Sequence, residues 1–200
     1  MSFDTKNTGN IDINRIISGV IRAARFDKTF FAEVEKDTSY SQDALVVVVV
    51  VSVVGALGSF IASLFGGSLL HAIGGFIWSA VWGVAGFFLW TFLVQWIGTQ
   101  FFKGQGDFGE VQRCLGFAYG PRILGILAII PCVGWLAALA GAIWSAVAGY
   151  FAIQEALDQD NTNAILTVVV SWVIVVVVGL ILGAILAAIG ILGAAARGAF

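Results

Sequence analysis

From the first isoleucines of the chain, apolar residues recur at helical spacing. Ile13, Ile16, Ile17, Val20, Ile21 and Ala24 follow the i, i+3, i+4, i+7 pattern of a single helix face, while Arg15, Arg22, Arg25 and Lys28 lie off it. The segment reads as an amphipathic helix with a basic flank. It suits the plane of the membrane surface, where Lys and Arg meet anionic headgroups, or alternatively the end of the protein's own bundle. The next stretch sets Phe30, Phe31 and Val34 against Glu33, Glu35, Lys36 and Asp37, which predicts a second short surface helix leading into the membrane.

After Asp43 the amphipathic alternation gives way to continuous apolar runs. The first spans Ala44 to Phe65 and opens with LVVVVVVSVV. β-Branched runs favour strands in water, but in lipid every backbone group must be bonded within its own segment, so a lone run of this length becomes a helix. Gly66 and Gly67 end it. A second run extends from His71 to Ile97 and carries Trp78, Trp82, Trp90 and Trp96. From Leu115 to Ile153 the length fits two spans joined at the IPCVG turn of Pro131 and Gly134. Glu155, Asp158 and Asp160 mark a surface loop, and a last run follows from Ala164 to Ile189. Each crossing of a bilayer core of roughly 30 Å takes about 20 apolar residues. The pattern therefore predicts an all-α integral membrane protein, a five-transmembrane-helix bundle with an amphipathic N-terminal surface helix. It divides into an N-terminal region, 1–42, a membrane domain, 43–195, and a short tail, 196–200.

Composition agrees: 60 % of the 200 residues are hydrophobic and 11 % charged, and no Asp, Glu, Lys or Arg occurs between Asp43 and Lys103. A net charge of -2, without a basic block, argues against nucleic acid as a partner. The partners expected are the lipid bilayer and another membrane protein or a second copy. Cys114 and Cys132 have no CxxC or histidine context and read as packing thiols. The polar, acidic start is unlike a secretory signal, so the first span serves as the insertion signal. With the N-terminus in the cytoplasm, that side collects Lys6, Arg15, Arg22, Arg25, Lys28, Lys36, Lys103 and Arg113, against Arg197 opposite. The expectation is N-in and C-out, in the cytoplasmic (inner) membrane if the source is bacterial.

Catalytic chemistry lacks its parts. The one histidine, His71, falls in an outer turn, and there are no paired intramembrane carboxylates, no Ser/His/Asp set and no metal cluster, so neither an enzyme nor a cofactor is expected. The glycines of KGQGDFG have neither the complete spacing nor the preceding strand of a phosphate loop. Arg122 is the single charge between Leu115 and Ile153. It lies nine residues before Pro131, roughly 13 Å along a helix. Three readings compete: an ion pair with Asp107, Glu110 or Glu155; snorkelling to the interface through a break at Pro121; or a site for a lipid headgroup or anionic ligand. Small residues form stripes at Gly75, Ser79 and Gly83, at Ala137, Gly141, Ser145 and Gly149, and at Gly179, Gly183 and Ala187. Such stripes let helices approach closely, within the bundle or between chains.

The order of FFAEVEKDTSYSQDAL, GQGDFGEVQRCLGFAYGP, IPCVGWLAALAGAIWSAVAGYFAIQEA and NTNAILTVVVSWVIVVVV, from Phe30 to Val178, resembles bacterial members of the YIP1 domain family. The resemblance implies a five-span bundle with a cytoplasmic N-terminus and no catalytic signature. Eukaryotic relatives are associated with vesicle trafficking and prenylated GTPases, but their long N-terminal region and DLYGP-type motif are not matched here. The leading expectation is a non-catalytic scaffold or accessory subunit of a membrane assembly. The alternative is a transporter or channel component for a small anionic or lipid solute. A third reading makes the basic helix a sensor of anionic membrane, to be tested by neutralising Arg15, Arg22 and Arg25.

Overall fold

A computed structural model describes residues 11–64, 69–130 and 134–196. They form α1 (Ile13–Ala24), α2 (Lys28–Lys36), α3 (Tyr40–Leu64), α4 (Leu69–Phe101), α5 (Phe108–Ala118), a 3-10 stretch (Gly120–Ile129), α6 (Gly134–Ala156) and α7 (Asn161–Ala196). Pro131, Cys132, Arg197 and the turn glycines Gly66 and Gly67 lie outside the described residues, as do the side-chain surroundings of Gly183 and Ala187.

The short helices start on carboxylates that accept from the first free backbone N–H groups. Asp12 caps α1, Asp27 caps α2, and Asp107 forms a reciprocal capping box with Glu110 on α5. Three non-glycine residues turn the chain after a helix with left-handed backbone: Phe26 (φ 60°) after α1, Lys103 (φ 57°) after α4 and Asp158 (φ 49°) after α6.

Four helices, α3, α4, α6 and α7, are long and apolar enough to cross a membrane, and they coincide with the expected first, second, fourth and fifth spans. The expected third span is different: no fifth continuous apolar helix occurs among the described residues. Its place is taken by α5, in which every residue from Val111 to Ala118 is buried, and by the ten-residue 3-10 stretch. The change falls at Tyr119, Gly120 and Pro121. Proline has no N–H to donate, and its ring crowds the carbonyl four residues back, so continuing a straight α-helix through it costs about 3 kcal/mol, and the chain changes to 3-10 pairing there. The 3-10 stretch then packs on α3 and α6.

α1, α2 and α5 form a cap on one end of the bundle, packed against α3 and α6. Its centre is aromatic. Phe30, Phe117 and Tyr40 meet edge to face with ring centroids 5.1, 5.8 and 6.0 Å apart, the geometry favoured by the ring quadrupole. α1 approaches closely because Gly19 and Gly120 leave no room for a side chain. A Cβ would lie 2.7 Å from the Phe117 ring at Gly19 and 2.6 Å from Val20 at Gly120.

The small-residue stripes have different fates. On α6, Gly141 lies under the carbonyl of Pro121, Ser145 donates to the Ala118 carbonyl (2.8 Å), and Gly149 faces Leu115. That stripe packs α6 against the broken segment. On α4, Gly83 meets Ser52 of α3, whereas Gly75 has open space. On α7, Ala164, Thr167 and Ser171 are buried, but no residue from 172 to 181 is, and Gly179 also has open space.

Candidate functional site

Polar chemistry collects in two places, the cap and a cavity in the bundle. In the cap, Arg15 and Arg22 of α1 are half-buried and bonded to protein groups. Arg15 pairs with Asp43 at 2.5 Å, donates to the hydroxyl and carbonyl of Ser39, and lies 4.9 Å from the centre of the Tyr40 ring. Arg22 donates to Asp27 (2.8 Å), Glu33 (3.0 Å) and the Thr29 hydroxyl, and stacks over Phe30. Tyr40 closes the network by donating to Glu33 at 2.6 Å.

These contacts set the protonation behaviour. The Thr29 hydroxyl and Arg22 hold the Asp27 carboxyl down at about 2, and the Tyr40 hydroxyl and Arg22 lower that of Glu33. Burial raises Glu35, with Asp158 adding repulsion. Cys114 is fully buried and donates weakly to the Phe31 carbonyl, a packing group.

Lys28 donates to Gln154 of α6 (2.8 Å), and the Trp144 indole donates to the Ala24 carbonyl (2.7 Å). Of the four basic residues expected at a membrane surface, Arg15, Arg22 and Lys28 are thus engaged with protein groups, while Arg25 is exposed. The open side of α1 carries Ile13, Ile17 and Ile21, 65, 52 and 46 % exposed, beside the exposed Asn14, Ser18 and Arg25.

Three residues that tie the cap and the helix ends together carry no motif and were missed by sequence reasoning. Asp43 reads as the polar boundary of the first span, yet it is buried under Arg15. Arg113 donates to the carbonyls of Val34 and Glu35 at the end of α2. Gln159 is buried beyond α6, donates to the Gly98 and Phe102 carbonyls (3.1 Å each) and accepts from Thr167 (3.0 Å). It thereby satisfies the C-terminal carbonyls of α4. Beside it, Gly106 passes so close to the Ala156 carbonyl that any side chain would collide with backbone.

The cavity has a volume of about 470 Å³ and lies between α4, α5, the 3-10 stretch, α6 and α7. Trp82, Phe87, Trp90 and Trp172 supply much of its wall, and Arg122 is the one charged residue lining it. The guanidinium stacks 4.8 Å from the centre of the Tyr119 ring. None of the proposed carboxylates pairs with it among the described residues. Asp107 and Glu110 are occupied with each other's backbone, and Glu155 lies 14 positions along α6 from Gly141, beside which Arg122 sits, about 21 Å of helix away. The structure does not join Arg122 to Glu155. No group of three or more His, Cys, Asp or Glu is placed to hold a metal among the described residues.

The Yip1 domain family matches the chain over residues 25–183, from the end of α1 into α7. No curated protein and no solved structure matches it.

Proposed function

The chain belongs to the Yip1 domain family, and from that premise we propose that it is a non-catalytic scaffold or accessory subunit of a membrane assembly. It is a multi-pass membrane protein with four apolar helices. We read α5 and the 3-10 stretch together, about 36 Å of chain, as a fifth crossing made in two pieces. This gives an N-in, C-out bacterial-type member in the cytoplasmic membrane, with α1, α2 and the start of α5 at the cytoplasmic face and the Ile13, Ile17 and Ile21 flank of α1 in contact with the headgroup layer.

The observation that carries the scaffold reading is the contrast between α6 and α7. The α6 stripe is filled by the chain itself. The 172–181 stretch of α7 has no buried residue and leaves Gly179 open. α7 is roughly 54 Å long and packs chiefly on α4 and α6, and its described 172–181 stretch, with no buried residue, offers a face to another membrane helix.

Extraction in a lipid-retaining polymer followed by native mass spectrometry tests this. A defined assembly that Gly179→Leu dissociates, without lowering the thermal stability of the chain, supports it. A free monomer carrying only lipid removes it and favours the transport reading.

A further inference from the structure

We infer that the cavity beside Arg122 is a binding site for an anionic amphiphile, a molecule with one acidic group on a hydrocarbon body. The inference stands whether or not the chain has a protein partner. Its first support is the contrast among the arginines. Arg15 and Arg22 reach carboxylates, and Arg113 reaches two carbonyls. Arg122 is exposed, its guanidinium lies over the face of Tyr119, and among the described residues no carboxylate or carbonyl accepts from it. A cation among apolar helices is costly until an anion or water meets it.

The second support is the cavity itself. Its volume falls in the range of small-molecule sites, roughly 300–1,000 Å³. Aromatic and aliphatic groups dominate the wall, and no lining residue is acidic, so a cationic ligand finds no counter-charge there. The arginine's planar fork suits a carboxylate or phosphate, which accepts two of its N–H groups together.

The third support is placement. Trp82 and Trp172, at the rim, are 59 and 60 % exposed, so the cavity opens on the outer surface of the bundle, where a ligand arrives laterally from the bilayer. The anchor is held firmly. Gly141 would place a Cβ 2.7 Å from the Pro121 carbonyl and 3.0 Å from Leu124, so α6 clamps the backbone on both sides of Arg122 before any ligand binds.

A phospholipid phosphate and a free long-chain carboxylate share the required chemistry. The test uses the full chain in mild detergent, stripped of lipid, with dibromostearate, its methyl ester and a brominated phosphatidylglycerol as probes. Bromine quenches the wall tryptophans on contact. The expected result is saturable quenching at one ligand per chain by an acidic probe. Binding is about tenfold weaker for the uncharged ester, about tenfold weaker in Arg122→Gln, and intermediate in Arg122→Lys.

Tighter binding of dibromostearate assigns the free acid as the source, and tighter binding of phosphatidylglycerol assigns the membrane lipid. Equal affinity for acid and ester, or unchanged affinity in Arg122→Gln, overturns the site. The ester comparison uses the native chain alone, so it decides the matter even if the glutamine variant fails to fold.

Discussion

The cap and the far half of the bundle are made from different chemistry. In the cap, short helices of mixed composition are joined by caps, ion pairs and an edge-to-face aromatic cluster, and nearly every charge on α1 and α2 that turns inward finds a partner. In the far half, α7 beyond Trp172 and the first half of α4 are almost purely apolar, expose large side chains such as Leu70, Trp78 and Leu180, and stack Trp78 on Trp82 in the open. The contrast teaches where order comes from in such a chain. One end is determined by its own side chains, and the other by what surrounds it.

Truncation is the strongest way to break the comparison. Phe117→Ala empties the aromatic centre of the cap and is expected to lower stability by about 3–5 kcal/mol, whereas Leu180→Ala, at a residue 69 % exposed, is expected to cost less than about 1 kcal/mol in detergent. Thermal unfolding of the two variants side by side checks this. Similar losses would mean that the far half is as tightly packed as the cap.

Asp43→Ala comes next. Asp43 is 3 % exposed but Arg15 is 37 % exposed, so removing the carboxylate leaves a cation that still reaches solvent. The expected loss is about 2–3 kcal/mol, below the roughly 3–5 kcal/mol of a fully buried pair. A combined Arg15→Met/Asp43→Leu variant is expected to recover part of it.

Gln159→Ala tests whether the same logic extends to the link between α4 and α7. It removes a partner of the half-buried Phe102 carbonyl and of the buried Thr167 hydroxyl, while the Gly98 carbonyl keeps the N–H groups of Phe102 and Gly104, for an expected cost of about 1–2 kcal/mol. Hydrogen exchange at the C-terminal end of α4 should rise, while exchange in α2 stays unchanged.

The smallest effect is on acid stability. Asp27 titrates at about 2 in the fold against 3.8 ordinarily, so its contribution is complete above about pH 4 and disappears as the pH falls towards 2. Asp27→Asn keeps the helix cap and should flatten the acid limb of a stability-against-pH curve. An unchanged limb would place the titrating group elsewhere. Glu35 works in the opposite direction: its carboxyl is raised, so Glu35→Gln should stabilise the chain slightly above its ordinary range, near neutral pH.

Much of the fold was legible in the sequence because hydrophobic length is a direct physical signal in lipid. The expected first, second, fourth and fifth spans are α3, α4, α6 and α7, and helices α1 and α2 occupy the two N-terminal stretches of helical spacing. The third span was legible only in its break. Pro121 and Arg122 marked it, but apolar length alone does not separate a continuous helix from a buried α-turn-3-10 path. The cavity had even less signal. Trp82 and Trp90 of α4, Arg122 of the 3-10 stretch and Trp172 of α7 come from three separate segments, and no spacing along the chain tells which tryptophans face an arginine and which face lipid.

The sequence by itself determined that the chain enters a membrane, which stretches are apolar enough to cross it, where the apolar stripe of α1 begins, and that Arg122 stands alone among apolar neighbours. These follow from solvation and local backbone bonding, which act on each segment before it meets another. The tertiary structure alone decided that Arg15 and Arg22 turn inward, that Gln159 closes the end of α4, that the α6 stripe is filled while Gly179 is open, and that Arg122 lines an aromatic cavity. Those outcomes depend on pairing between residues distant in the chain, and local pattern leaves pairing undetermined.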